Sequence, residues 1–107
     1  RPCEQLEHEM KLWWVHNEAL IALLTAYKLT KEDKYFMWYK KVHEYSFEKF
    51  GDPVHGEWYG YLHRDGSVNH TQKGSLWKGP YHLPRCLMLC ESILNSLALD
   101  EELEALL

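Results

Sequence analysis

No apolar run in the chain is long enough to cross a bilayer, and no charged-then-apolar leader opens it, so neither a membrane span nor a secretory signal is expected. Basic clusters are missing as well. Twelve Lys and Arg stand against 16 Asp and Glu, a net charge of −4, which leaves no electrostatic footprint for nucleic acid. Cysteine is scarce, at three residues, and the odd count argues against a disulfide framework. Cys86 and Cys90 lie four apart on a predicted helix and are expected to stay reduced, in a cytoplasmic setting. There is no Cys-x-x-Cys pair, no His-Glu-x-x-His and no acidic cluster near the few candidate ligands. His82, Cys86 and Cys90 do recur every four residues, but Pro84 disfavours helical geometry at His82, and no metal is expected. No Ser or Cys nucleophile motif, Gly-rich phosphate loop, internal repeat or low-complexity tract is present.

Aromatic side chains are abundant instead. Five Trp and seven Tyr fall in 107 residues, which is more than three short helices need for a core. A cleft that takes a sugar or another ring would use them. The hydrophobic content of 46% argues for a folded domain, and the length allows one small core.

Residues 1–10 are polar and acidic and read as a linker or frayed start. Residues 11–27 have a helical pattern whose apolar side chains point all round the axis, so burial on every side is expected. Glu18 sits in the middle, on the stripe of Trp14, Ile21 and Thr25. A buried carboxylate needs a partner or a shifted pKa; a Tyr hydroxyl or a backbone N–H is the plain alternative. Residues 29–34 form a charged turn in which Thr30 can cap the next helix. That helix, 35–50, is amphipathic, with Phe36, Tyr39, Val42, His43, Phe47 and Phe50 on one face. A buried helix followed by an amphipathic one suggests an inner layer wrapped by an outer one.

Residues 57–63 and 68–72 read as two strands joined by the Asp65-Gly66 turn, a small hairpin flanked by His55, His63 and His70. A third helix is expected over 84–98, with Pro84 in its first turn, and a short turn after residue 100. The fold class is therefore all-α with a small β-hairpin.

The loop before that third helix holds the densest chemistry. Trp77, Lys78, Tyr81, His82 and Arg85 fall between Gly74 and Cys86, with Gly79, Pro80 and Pro84 stiffening the backbone. A connector whose aromatics merely pack is the alternative. An imidazole titrates near neutral pH, so His82 is suited to take and return a proton. Arg85 and Lys78 are suited to stabilise an oxyanion on a substrate, and the faces of Trp14, Trp77 and Tyr81 to stack on a sugar ring. A carboxylate such as Glu18 would hold the ring's orientation, although nothing in the sequence itself joins it to His82.

Three ordered motifs carry a resemblance: Lys11-Leu-Trp-Trp-Val-His-Asn-Glu18-Ala-Leu, Gly56-Glu-Trp-Tyr-Gly-Tyr-Leu62, and Lys73-Gly-Ser-Leu-Trp-Lys-Gly-Pro-Tyr-His82-Leu-Pro-Arg85-Cys86. Together they resemble the C-terminal part of the N-acylglucosamine 2-epimerase family, which includes cellobiose 2-epimerases and aldose–ketose isomerases. The resemblance implies an (α/α)6 barrel of inner and outer helices around a central cleft, of which residues 1–107 are the C-terminal segment. It makes His82 one of two catalytic histidines, with Glu18 and Arg85 in the active site beside it. Trp14, Trp77, Lys78 and Tyr81 are then expected to bind the substrate. The implied reaction interconverts N-acetyl-D-glucosamine and N-acetyl-D-mannosamine through removal of the C2 proton and its return to the opposite face. No cofactor enters that chemistry. The family implies ATP or another nucleotide as an activator and a homodimer as the assembly. Some family members have been named for binding renin, so a non-catalytic helical interaction module is a further reading, with renin as partner. A related aldose–ketose isomerase is the third. The family's other catalytic histidine lies upstream of the segment matched here, so this chain alone is expected to be inactive.

Overall fold

The computed structural model describes residues 9–107, so the reading of the chain's first residues as a linker lies outside the described residues except for Glu9 and Met10. Five elements follow in order: β1 (Lys11–Leu12), α1 (Trp13–Thr30), α2 (Asp33–Lys49), β2 (Tyr61–Leu62) and α3 (His82–Leu106). Both α2 and α3 pack on α1.

α1 buries Trp13, Asn17, Leu20 and Leu24, residues three or four apart on one stripe. Burial on every side is not observed: Trp14 and Val15 are 40% and 45% exposed. The reason is that α2 and α3 cover only part of the helix surface. The expected Thr30 cap is also corrected. Thr30 ends α1, and its hydroxyl donates to the Ala26 carbonyl at 2.8 Å while accepting from the Glu32 N–H at 3.1 Å. Lys31 takes the left-handed conformation and donates its N–H to Tyr27, which closes the helix.

α2 turns Tyr39, Ser46 and, at its end, Phe50 inward. Phe50 stacks on Trp58, centroids 5.5 Å apart, and Phe47 meets the same indole edge-on. Trp13 and Trp58 are thus core residues of the described chain. His43 lies half-buried, stacked on Phe47 at 4.3 Å.

The Asp65-Gly66 turn forms, with His63 N–H bonded to the Ser67 carbonyl. The return strand does not. Val68 makes only an isolated bridge to Leu62, and β2 pairs antiparallel with β1 instead (Lys11 opposite Leu62, Leu12 opposite Tyr61). β1 runs straight into α1, so this pairing fixes where α1 starts. The Trp13 N–H also donates to the Gly60 carbonyl at 3.0 Å, satisfying one of the helix's orphan donors.

α3 starts two residues earlier than expected, with His82 inside its first turn and Pro84 where a missing N–H costs nothing. It also runs on to Leu106 as one helix, anchored near its end by Asp100, which accepts from Lys28 at 2.7 Å. Its buried side is Leu83, Cys86, Cys90 and Leu97, while Leu87, Leu89 and Leu94 are exposed.

Candidate active site

Two helix ends meet at the site. α1 carries Trp14 and Glu18 one turn apart on its first turns, and α3 carries His82 and Arg85 three apart in its first turn, with Tyr81 just before it. Their packing brings together residues that lie more than sixty apart in sequence. One carboxylate oxygen, Oε2 of Glu18, accepts from both partners: from Arg85 Nη1 at 2.6 Å and from His82 Nδ1 at 3.2 Å. Rings surround the imidazole. Tyr81 lies 4.9 Å away edge-on, Trp14 5.8 Å away and tilted, and Trp13 6.3 Å away edge-on. The Arg85 guanidinium stands 5.8 Å over the Tyr81 ring.

Glu18 is not sealed away as expected. Its side chain is 37% exposed, because the site opens where neither α2 nor α3 covers α1. Partial burial pushes its carboxyl up, but the bonds from His82 and Arg85 outweigh that and hold it below its ordinary value. The same bond holds Arg85 above its own ordinary value. A charged carboxylate has no proton to give, so the hydrogen on the shared contact belongs to His82 Nδ1. In the neutral ring Nε2 is then left with a free lone pair, the form that accepts a proton. The cluster therefore pairs an oriented base with a fixed guanidinium, aromatic faces alongside.

The other expected ligands fall elsewhere. Trp77 is 79% exposed on the loop before α3. The Lys78 ammonium is buried, donating to Glu57 Oε1 at 3.1 Å and to the Lys73 carbonyl at 2.9 Å, so its charge is paired within the chain. Trp13 and Glu57 were given no role by sequence reasoning. Both stand inside the motifs quoted above, and that was the available signal. The hydrogen bond with Cys90, at an Sγ–Sγ distance of 3.8 Å, and burial push the Cys86 thiol up, so it stays protonated. Among the described residues, no three His, Cys, Asp or Glu are grouped to hold a metal ion.

The family model for N-acylglucosamine 2-epimerase (GlcNAc 2-epimerase) matches residues 2–86. The chain belongs to the N-acylglucosamine 2-epimerase family. N-acylglucosamine 2-epimerase of Bos taurus is 52% identical over 93 residues, which is 87% of this chain and 22% of the bovine protein. The solved structure of cellobiose 2-epimerase from Spirochaeta thermophila superposes with a TM-score of 0.70 at 32% identity, over 82% of this chain and 23% of that one. A D-mannose isomerase structure also reaches 0.70, at 28% identity, over 81% of this chain and 22% of that one. The chain thus spans about a fifth of the length of the curated relatives it matches. Its helices have the fold of part of the family's (α/α)6 barrel.

Proposed function

We propose that this chain is the C-terminal segment of a sugar 2-epimerase that interconverts N-acetyl-D-glucosamine and N-acetyl-D-mannosamine. The observation that carries the reading is the shared Glu18 oxygen, which orients His82 and fixes Arg85 at one point. In the open-chain sugar the C2 hydrogen is acidic because it lies α to the aldehyde. His82 Nε2 exchanges that proton on one face. Arg85 stabilises the charge that builds on the C1 oxygen of the resulting enolate. A second acid–base group, from outside these 107 residues, serves the opposite face. Trp14 and Tyr81 line the sugar's path, with Trp77 at the rim. On the same reading a nucleotide such as ATP is an activator rather than a reactant, and the protein works as a cytoplasmic homodimer; the family resemblance supports these three points.

Aldose–ketose isomerisation is the second reading, favoured by the equal TM-score of the D-mannose isomerase structure. The two reactions share the first proton transfer and differ in whether the proton returns to C2 or C1. The test is turnover of N-acetylmannosamine by the full-length protein and its His82→Asn variant, with the products identified. Loss of ~10²–10⁴-fold in the variant is expected, with N-acetylglucosamine as the wild-type product. Wild-type turnover in the variant would make His82 a packing residue. With D-mannose offered in place of the amino sugar, a ketose product, and no turnover of N-acetylmannosamine, would move the assignment to the isomerase.

A further inference from the structure

Lys78 has an environment that substrate binding does not explain. Its side chain is 2% exposed, and its ammonium meets the Glu57 carboxylate, the Lys73 carbonyl and, at 5.8 Å, the ring of Trp13. Its stem lies against Gly60, where a Cβ would come within 2.9 Å of Lys78 Cδ. A buried ammonium is costly, and apolar side chains of similar volume often replace an ion pair as a whole with no loss of stability. Stability alone is thus a poor reason for a charge here.

The surroundings indicate a different reason. Glu57 has a φ of +63°, a left-handed backbone that a non-glycine residue adopts at a cost. That conformation accompanies a carboxylate bonded to both the Trp58 N–H and Lys78. The loop's other end is fastened as well. Lys73 donates to Asp52 Oδ2 at 2.6 Å and to the Gly56 carbonyl at 2.7 Å, and Ser75 closes a turn onto the Lys78 N–H. Trp13, which Lys78 touches on one side, meets His82 on another. His82 comes four residues after Lys78, at the end of the segment thus held.

We infer that Lys78 is a positioning residue: its buried ammonium, paired with the half-exposed Glu57 carboxylate, pins the 73–81 loop on the Gly60–Trp13 floor and so sets where His82 enters the site. This rests on the acid–base reading of His82. A displacement of about 1 Å at a reacting group can cost ~10²-fold in rate. In the full-length protein, Lys78→Met keeps the apolar stem and removes the pin. Its kcat for sugar turnover is expected to fall by ~10–10²-fold, with KM unchanged and by far more than any fall in the folded fraction. Glu57→Gln keeps an acceptor oxygen and is expected to lose less, and the double variant to be no slower than Lys78→Met, since both act through one contact. If Lys78→Met does not fold, Gly60→Ala, which displaces the stem and keeps the charge, is judged by the same criteria.

An unchanged kcat, a loss matched by loss of folded protein, or a rise confined to KM would overturn the inference, the last by making Lys78 a substrate ligand. His82→Asn measured alongside separates the two levels. If it is inactive while Lys78→Met equals wild type, only the positioning role fails. If it is active, the acid–base reading fails and takes this inference with it.

Discussion

Replacing Glu18 by Gln tests the charge at the centre of the site and little else. Both contacts to Glu18 fall on the same oxygen, Oε2, at 2.6 Å from Arg85 and 3.2 Å from His82. A glutamine can put its amide oxygen there and keep one acceptor for both donors, so the geometry survives while the negative charge goes. Glu18→Ala removes the acceptor too. The charge favours Nδ1–H on His82 and holds the guanidinium, so its loss is expected to lower kcat by about 10²-fold, the low end of the acid–base range, and the alanine variant by ~10³–10⁴-fold. The stability effect is expected to be slight. The carboxylate and both partners are about a third exposed, and ion pairs in that setting are largely screened by solvent. The assay is steady-state turnover of N-acetylmannosamine by the full-length variants, with thermal unfolding run in parallel. A Glu18→Gln enzyme with wild-type kcat, or one whose loss follows the fraction unfolded, would refute the reasoning that the carboxylate acts through His82 and Arg85.

Arg85→Lys is expected to lose activity as well, because a compact ammonium cannot both stay on Oε2 and offer the planar fork to a developing oxyanion; kcat measured at saturating sugar checks this. Asp52 accepts from Lys73 and from the Val54 and His55 N–H groups, and these bonds hold its carboxyl well below the ordinary 3.8. A depressed carboxyl means that the unfolded chain takes up its proton first. The Asp52 contribution is therefore complete above about pH 4 and lost as the pH falls through the folded value. Unfolding midpoints measured from pH 6 down to pH 2 should fall less steeply in Asp52→Asn than in wild type. The 107-residue chain alone is expected to show no epimerisation and to associate, since Met88, Leu99, Leu103 and Trp77 are all more than half exposed; light scattering and the same turnover assay check both halves.

Helix type and placement were legible because period and punctuation agree: the helical patterns over 11–27 and 35–50 and the charged turn between them survive in the structure as α1, α2 and the break at Lys31. The meeting of Glu18 with His82 was not legible from spacing, since it depends on how α1 packs against α3; only family resemblance put the two in one site. Local rules misled where a longer-range partner won. Val68 had the residue type for a return strand, yet β2 took Lys11–Leu12, whose pairing also seats the start of α1. Thr30 had the chemistry of a cap, but its hydroxyl reached back to Ala26 and let α1 keep a last turn. The pairing of Lys78 with Glu57, twenty-one residues earlier, left no mark in the sequence. Glu18 was expected to be buried because periodicity counts apolar faces, not the neighbours available to cover them.

The most direct test of the Glu18–His82–Arg85 centre is proton exchange at the sugar itself. The full-length protein is incubated with N-acetylmannosamine in D2O, and C2 is followed by NMR in wild type and in His82→Asn. Deuterium entering C2 with wild type, and none above background with the variant, is the predicted result. Equal deuterium uptake by the two proteins would contradict it.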